Sequence, residues 1–405
     1  MTNAKLLIVA DDFTGGLDTG VQFTRQGVAA RIVVNPDGTG DWTQTDVQVL
    51  VAVTETRRLS PEAAYAVVFR IVAEAKRAGI PNIYKKTDSA LRGNIGAELS
   101  AALAASGADM LPFLPAFPCL NRITVGGRHT IDGMPVSESV FGHDPFNPVP
   151  DSDVPRLIAA QTDVAVWNAT SETLAAGRGI CVVDAESDED LESAGARLGE
   201  LGALSVSAGC AGFAAFLPSL LKLRTGAPPA MPALGDGLLV VCGSVNPVTR
   251  RQLDWAEGHG FTRLCLTSAQ KLEPGAVDAP LPRARWLILD ANDSDLDSAP
   301  TRAYALARGY DPDEARRRVA ASLAETFAAL EPEWPGALLI TGGDTLLECL
   351  TRLGGQGIEP LLELFPGVVL SKCSLAGRER MIISKSGGFG GETLLTDLKD
   401  LIERA

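Results

Sequence analysis

The stretch IVADDFTGGLDTG, residues 8–20, runs from an apolar strand through two adjacent carboxylates, Asp11 and Asp12, into a glycine-bearing turn. A helix is predicted to follow, from about residue 15 to residue 26. In open α/β sheets ligands bind at the carboxyl ends of the strands, and the acidic pair falls at such an end. The pair could accept a proton from a hydroxyl group, hold a Mg²⁺ ion that faces phosphate, or merely cap the helix. These residues alone leave all three roles open.

The alternation of strand, turn and helix continues along the chain. Apolar runs such as VQVLVAV (47–53) and NIYKK (82–86) alternate with helical patterns, among them SPEAAYAVVFRIVAEAKRAG (60–79) with Ser60 as its predicted N-cap. This order predicts a mostly parallel, doubly wound sheet. The segment 112–150 breaks the pattern, and RHTIDGMPV (128–136) within it predicts a hairpin with Asp132 and Gly133 in the turn.

A connector without periodicity, RTGAPPAMPALGDG (224–237), separates two such alternating regions. A chain of 405 residues exceeds the size at which one hydrophobic core usually stops growing. We therefore expect an N-terminal domain at residues 1–228 and a C-terminal domain at residues 236–405. The predicted fold class is α/β, with two α/β domains, mostly parallel sheets and an active-site cleft between them.

The composition limits the classes of partner. The net charge of −14 argues against nucleic acid and against an anionic membrane surface, because both need clustered cations. Seven cysteines without CxxC spacing fit a reducing compartment. The apolar run at residues 6–10 is too short for a signal peptide, and no run approaches a membrane span. We expect a cytoplasmic protein that acts on a small molecule.

A second polar loop follows the strand NIYKK. In YKKTDSALRGNIG (84–96), cations, a hydroxyl group and an acid lie between a strand and a helix. Such a loop could bind a carboxylate or a polyol, with Arg92 suited to bidentate recognition, or it could be solvated with Asp88 as a helix cap. TETRRL (54–59) could add Arg57 to the same rim, although only one of the adjacent Arg57 and Arg58 is expected to point inward.

Three glycine-bearing turns follow predicted strands in the second half: CGSVNP (242–247), TGGDT (341–345) and SKSGGFGG (384–391). Glycine lets the backbone approach a phosphate, and Ser244, Thr345 and Lys385 could add side-chain donors. Neither a P-loop nor a dinucleotide fingerprint is present. Three such turns on one predicted rim favour an anion or nucleotide site.

Jointly and in order, these motifs resemble the four-carbon acid sugar kinases, most closely those that act on D-threonate or D-erythronate. The matching stretches include ADDFTGGLDTGVQF (10–23), YKKTDSALRGNIGAEL (84–99), VGGRHTIDGMPVSESVFGHDPFNPV (125–149), CGSVNPVTRRQL (242–253), TGGDT and SKSGGFGG. The resemblance spans nearly the whole chain. It implies an acid-sugar-binding N-terminal domain, a C-terminal domain that binds ATP with Mg²⁺, and transfer of the γ-phosphate to the terminal 4-hydroxyl, with D-threonate first and D-erythronate next.

The resemblance also implies roles for individual residues. Asp11 and Asp12 would stand at the acceptor site, with Asp12 nearest the hydroxyl, and which of them holds metal is left open. The substrate-binding residues would be Asp12, Arg57, Lys86, Thr87, Asp88 and Ser89, with Arg92 directed to the carboxylate. The nucleotide contacts would be Ser244, Gly342, Gly343, Asp344, Thr345 and Gly388.

The chain departs from the family pattern at a few positions. Gly16 and Leu17 replace a small residue and Asn, Ala90 stands where Thr is usual, and Asp344 stands where Glu is common. These departures leave the choice of acceptor open, including another small aldonate such as 3-oxo-tetronate, and the sequence does not decide whether the chain forms a homodimer. Two other classes are a non-catalytic acid-sugar and nucleotide sensor, and an oxidoreductase, whose cofactor fingerprint this sequence lacks.

Overall fold

The computed structural model describes residues 3–34, 43–144, 147–273, 275, 282, 284–293, 299–355 and 357–404. The chain divides into two units, Met1–Pro228 and Pro229–Ala405, called here the N-terminal and C-terminal units. The division falls inside the connector at residues 224–237. Residues 145 and 146, in the segment 112–150 that breaks the alternation, lie outside the described residues.

The N-terminal unit alternates strands and helices from its first residues onward. Its strands are β1 (Leu6–Ala10), β2 (Ala30–Val33), β3 (Val49–Val53), β4 (Asn82–Lys86), β5 (Met110–Leu114), β6 (Arg122–Val125), β7 (Arg128–Ile131), β8 (Met134–Pro135), β9 (Val166–Ala169), β10 (Gly179–Val183) and β11 (Val206–Gly209). Its helices are α1 (Phe13–Thr24), α2 (Pro61–Arg77), α3 (Ile95–Ser106), α4 (Val154–Ala159), α5 (Asp188–Glu200), α6 (Ala211–Ala214) and α7 (Leu217–Leu220).

The main sheet of this unit has the order β2-β3-β1-β4-β11-β5-β10-β9, and its pairings are parallel. β1 and β3 are buried along their whole length, as expected for a parallel sheet covered on both faces. The register pairs Ala10 with Val53 on one side and with Lys86 on the other. The residues that follow these three strands therefore emerge side by side at one edge.

Helix α1 begins two residues earlier than the sequence predicted. Asp12 is its N-cap, with its side chain accepting a hydrogen bond from the Gly15 backbone N–H, so the helix starts at Phe13. Helix α2 follows the prediction, with Ser60 as N-cap and Pro61 in the first turn. Gly79, just beyond its end, has a φ of +85°, a conformation that favours glycine.

A small antiparallel sheet, β6-β7-β8, is formed by the segment that breaks the alternation. The predicted hairpin is confirmed. Asp132 and Gly133 connect β7 to β8, with φ values of 50° and 76°. Two consecutive positive φ values define the tight hairpin turn that Asp-Gly favours.

The C-terminal unit restarts the alternation after the connector. Its strands are β12 (Leu238–Cys242), β13 (Thr262–Cys265), β14 (Trp286–Asp290), β15 (Ala337–Thr341), β16 (Gly357–Phe365), β17 (Val368–Leu375) and β18 (Arg378–Lys385). Its helices are α8 (Pro247–Gly258), α9 (Ser268–Leu272), α10 (Pro300–Ala307), α11 (Pro312–Leu330), α12 (Gly343–Arg352) and α13 (Leu394–Arg404).

The sheet of the C-terminal unit has the order β13-β14-β12-β15-β18-β17-β16. Along this order, the pairs β13-β14, β14-β12, β12-β15 and β15-β18 are parallel. The pairs β18-β17 and β17-β16 are antiparallel. The predicted class, two α/β domains with mostly parallel sheets, is confirmed. No helix in the described ranges is long and apolar enough to cross a membrane.

Candidate active site

The two carboxylates after β1 differ in exposure. The Asp11 side chain is 3% exposed, whereas that of Asp12 is 21% exposed. Asp12 accepts hydrogen bonds from the Gly15 N–H at 3.0 Å and from the Thr14 hydroxyl at 3.2 Å. A Cβ atom at Gly15 would lie 2.5 Å from Asp12 Oδ1, so glycine leaves room for this carboxylate at the helix start. Asp12 is therefore both the helix cap and the more exposed carboxylate of the pair.

Arg57 binds both carboxylates. Its Nε donates to Asp11 Oδ2 at 2.7 Å, and its Nη2 lies 2.9 Å from Asp12 Oδ1 and 3.7 Å from Asp88 Oδ1. Burial alone would raise the pKa of Asp11, but the charges of Arg57 and two nearby lysines outweigh burial and lower it. As predicted, one arginine of the adjacent pair points inward; Arg58 is exposed. Asp11 is thus held ionised and oriented.

The loop after β4 supplies the third part of the rim. Asp88 accepts two hydrogen bonds from the Arg92 guanidinium, at 2.8 and 3.0 Å, and Arg92 also donates to Asp144 at 3.3 Å. Burial would raise the pKa of Asp88, but Arg92 and Arg57 hold it well below its usual range. Arg92, predicted to face a substrate carboxylate, has its fork directed at Asp88.

Lys86 and Thr87 lie at the start of the same loop and are buried. Lys86 Nζ donates to the Thr87 carbonyl at 2.8 Å, and a Cβ atom at Gly15 would lie 2.9 Å from this Nζ. The Lys86 ammonium therefore lies beside the N-terminus of α1. The hydroxyl of Thr87 is buried and has no hydrogen-bond partner in the part of the chain that the structure describes.

A buried ion pair that the sequence did not indicate lies behind Asp11. Lys85 Nζ lies 2.6 Å from Glu98 Oε2, and both side chains are almost fully buried. The same ammonium donates to the carbonyls of Lys86, at 2.6 Å, and Val9, at 3.2 Å. Lys85 is also one of the charges that lower the pKa of Asp11. The pair therefore joins β1, β4 and α3 directly beneath the carboxylates.

The small sheet makes two contacts with Ser89. Arg122, on β6, donates to the Ser89 hydroxyl, and His129 Nε2, on β7, donates to the Ser89 carbonyl at 3.0 Å. His129 Nδ1 lies 2.9 Å from the Thr124 hydroxyl, which completes the pairing of a neutral ring. Sequence reasoning did not connect either residue to Ser89, because the contacts cross 33 and 40 residues of the chain.

The buried ring of His129 predicts a pH dependence of stability. Burial lowers its pKa to about 4 from an ordinary 6.5. A lowered folded-state pKa gives stability that is present above pH 6.5 and is lost as the pH falls toward 4. The unfolding free energy of the wild type should therefore fall by roughly 2 kcal/mol more than that of His129→Gln between pH 7.5 and 5. Urea unfolding followed by circular dichroism measures this difference, and equal losses in both proteins would contradict it.

The three glycine-bearing turns of the C-terminal unit converge. The register pairs Cys242 with Thr341 and Thr341 with Lys385, so the turns after β12, β15 and β18 emerge side by side. A Cβ atom at Gly243 would lie 1.9 Å from Thr345 Oγ1, and one at Gly387 would lie 2.8 Å from Ser244 Oγ. Gly342, with φ of +106°, and Gly343 open helix α12. Backbone N–H groups at such a helix N-terminus suit an anion.

Polar side chains fix the last of these turns. Lys385 Nζ donates to the Gly387 and Ser386 carbonyls and to the Thr249 hydroxyl, each at 3.0 Å. Burial lowers the pKa of Lys385 to about 8. Gly388 follows Gly387 in the same turn, and a Cβ atom there would lie 3.6 Å from Asn246 Nδ2. Asp344 pairs with Arg316 of α11 at 2.7 Å.

Sequence reasoning missed two polar residues at this edge. Gln252, on α8, donates to the carbonyls of residues 389–391, and Asn292, after β14, donates to the Ser244 carbonyl at 3.2 Å. The only available signal for Asn292 was its position two residues after the buried end of β14. The arrangement as a whole offers backbone donors to an anion in the C-terminal unit, and carboxylates and arginines to a polar molecule in the N-terminal unit.

Comparison with known proteins agrees with this division of chemistry. Residues 6–217 match a family model described as a sugar-binding N-terminal domain, and residues 239–395 match one described as a nucleotide-binding C-terminal domain. Among solved structures, a Salmonella typhimurium LT2 protein described as a putative tRNA synthase is 22% identical with a TM-score of 0.75, over 97% of this chain and 98% of that one. That likeness supports the fold alone.

Curated relatives match over nearly the full length. D-threonate kinases of Salmonella typhimurium and Bordetella bronchiseptica are 29% and 31% identical, over 98% and 96% of this chain and 98% and 95% of theirs. A D-erythronate kinase of Heliobacterium modesticaldum is 29% identical, over 96% and 94%. A relative from Pseudomonas fluorescens at 25% identity, over 95% of this chain and 94% of its own, is named 3-oxo-tetronate kinase. The chain belongs to the four-carbon acid sugar kinase family.

Proposed function

We propose that this protein uses ATP to phosphorylate the terminal 4-hydroxyl of a four-carbon acid sugar, with D-threonate the first candidate and D-erythronate the next. The observation that carries the proposal is the cluster of Asp11, Asp12, Arg57 and Asp88 at the carboxyl ends of β1, β3 and β4. The names of the relatives supply the substrate class, and both D-threonate kinases match over nearly their whole length. The product would be the 4-phosphate, with ADP.

In this mechanism Asp12 contacts the acceptor hydroxyl, orients it and accepts its proton as transfer proceeds. Arg57 fixes the position of Asp12, because its guanidinium lies between the two carboxylates. Lys86, Thr87, Asp88 and Ser89 bind the remaining hydroxyl groups of the acid. Phosphoryl transfer has a loose transition state, so positioning and charge neutralisation contribute more than strong base catalysis.

In the C-terminal unit the proposed nucleotide contacts are the converging turns. Backbone N–H groups at Gly342 and Gly343, at the start of α12, suit the phosphates, with Ser244 and Thr345 as side-chain donors. Gly388 contributes backbone beside Asn246. Asp344 acts through its pairing with Arg316, which holds the first turn of α12 in place.

The residues present fit a Mg²⁺ ion bound together with ATP. Mg²⁺ takes one or two carboxylates plus phosphate oxygens and water, and Asp11 and Asp12 offer carboxylate oxygens. Asp11 Oδ1 is buried and has no hydrogen-bond partner in the described part of the chain. When bound, the ion would supply neutralisation of the phosphate charge.

Coupled ADP release tests the proposal directly. The purified protein is assayed with Mg·ATP and D- and L-threonate, D- and L-erythronate and 3-oxo-tetronate. We expect turnover with D-threonate above the other acids. Turnover only with another acid of the panel would make that acid the substrate in place of D-threonate. ATP binding without any turnover would favour a non-catalytic sensor over a kinase. The departures from the family pattern at Leu17 and Ala90 are buried, so they would act on substrate choice through packing.

A further inference from the structure

Arg122 lies beside the candidate acid site and, among the described residues, makes no hydrogen bond or ion pair with a carboxylate, although its charge helps to lower the pKa of Asp88. It lies on β6, outside the main sheet, and its Nη1 donates to the hydroxyl of Ser89. Within the part of the chain that the structure describes, it makes no ion pair. Its Nε is buried and has no hydrogen-bond partner there. A buried cationic donor without an acceptor is costly, so an acceptor from outside the chain would stabilise the Nε group of Arg122.

The other two arginines of the rim, Arg57 and Arg92, are already paired with carboxylates of this chain. Arg57 pairs with Asp11 and Asp12, and Arg92 pairs with Asp88 through two hydrogen bonds. Arg122 and Arg92 share one aromatic ring, with their guanidinium carbons 5.3 and 5.2 Å from the centroid of Phe141. A guanidinium held against a ring and by Ser89 is pre-oriented, which favours the recognition of a planar anion.

Among the described residues, Arg122 and Asp12 make no direct contact and are linked through other side chains of the rim. Asp12 contacts Arg57, and Arg57 lies 3.7 Å from Asp88. Asp88 in turn contacts Arg92. Arg92 and Arg122 both lie against the ring of Phe141. A four-carbon acid carries its terminal hydroxyl and its carboxylate at opposite ends. With the hydroxyl at Asp12, the carboxylate needs a cation at the other end of this rim.

We propose that Arg122 binds the carboxylate of the acid substrate, so that the small sheet β6-β8 makes the site specific for an acid over a neutral polyol. This inference rests on the proposed function, because it takes a hydroxy acid as the ligand. It assigns the carboxylate to Arg122, whereas the sequence pointed to Arg92. His129 supports the arrangement from the same sheet by fixing the Ser89 carbonyl.

The test compares an acid with its uncharged analogue. Calorimetric titration without nucleotide measures the binding of D-threonate and D-threonamide to the wild type, Arg122→Gln and Arg122→Lys. The matched control is Arg128→Gln, an exposed arginine on the neighbouring strand. We expect Arg122→Gln to bind the acid about 10- to 100-fold more weakly and the amide unchanged, since the lost contact is a charge-assisted hydrogen bond. Arg122→Lys should fall between, and Arg128→Gln should match the wild type.

Two results would overturn the inference. Equal weakening of acid and amide would mean that Arg122 acts only through Ser89, and unchanged acid binding would remove it from the site. Should Arg122→Gln fail to fold, the same acid-to-amide comparison is made with Arg122→Lys. If the wild type binds D-threonate but does not phosphorylate it, the proposed function is wrong and the role of Arg122 in binding the carboxylate is unaffected. If the wild type phosphorylates the acid and Arg122→Gln binds it as tightly as the wild type does, the proposed function holds and the role of Arg122 is wrong.

Discussion

Asp12→Asn is expected to lower kcat for the acid substrate by about 10²- to 10⁴-fold, the range that a positioned general base contributes. KM should change by less than about threefold, because the lost interaction strengthens mainly as the hydroxyl proton is transferred. Asparagine keeps the shape of the side chain but removes the negative charge that accepts the proton. Steady-state kinetics with saturating Mg·ATP and varied acid measure both constants.

The substitution is informative because it should leave the fold intact. The amide oxygen of Asn can accept the Gly15 N–H as Asp12 does, and Asn is as good an N-cap as Asp. Asp132→Asn is the matched control, an exposed residue in the hairpin turn whose positive φ asparagine tolerates. An unchanged kcat in Asp12→Asn would remove Asp12 from the catalytic role, and a raised KM with kcat intact would make it a binding residue only.

The placement of Asp11, Asp12, Arg57 and Asp88 at one edge could be predicted from the sequence. Each follows a short apolar run, and parallel strands bring their carboxyl ends to the same side. The Asp132 and Gly133 turn could be predicted for a local reason, because these residue types favour consecutive positive φ values. Signals of this kind are local or follow from the regular repeat of the fold.

The contacts of Arg122 and Glu98 could not be predicted in this way. Arg122 reaches Ser89 from a separate small sheet, and no periodicity reports which loop that sheet covers. The period of Ile95, Leu99 and Leu103 gives one apolar face of α3, but the helix is buried on every side over residues 95–103. From the sequence, Glu98 in the first turn of α3 is explained by the general preference for acids at helix N-termini. Its burial can be recognised only in the structure, where Lys85 lies beside it.

The strands β16 and β17 were also missed. They pair in antiparallel fashion, and their turn into β18 uses Ala376 and Gly377, both with positive φ. The alternation of strands and helices predicts parallel strands, and antiparallel hairpins in this region do not follow that pattern. The alternation of Ile358 and Pro360 with Gly357 and Glu359 at the start of β16 is the short sequence signal that could have found this strand.

Lys85→Met should lower the unfolding free energy by about 3–5 kcal/mol, the usual cost of removing one partner of a buried ion pair. Glu98 would be left buried without its cation at 2.6 Å. For a unit of this size the loss corresponds to a fall in Tm of about 10 °C. Calorimetric unfolding measures the change. Lys5→Met, at an exposed position before β1, is the matched control and should stay within about 0.5 kcal/mol of the wild type.

The double variant Lys85→Met with Glu98→Met separates the cost of a buried charge from the cost of lost packing. Replacing both partners by apolar side chains of similar volume is often neutral, so most of the lost stability should return. Stability that stays as low as in Lys85→Met alone would mean that packing, and not the unpaired Glu98, causes the loss.

Activity should not return with stability in the double variant. Lys85 is one of the charges that hold the pKa of Asp11 down against burial, so its removal raises that pKa. A higher pKa means that Asp11 is protonated at a higher pH, and the acidic limb of the kcat/KM profile should move upward. Protonated Asp11 also attracts Arg57 less, which loosens the group that orients Asp12. A recovered fold with a displaced pH profile would show that the buried pair serves the carboxylates above it, whereas a wild-type profile would limit its role to stability.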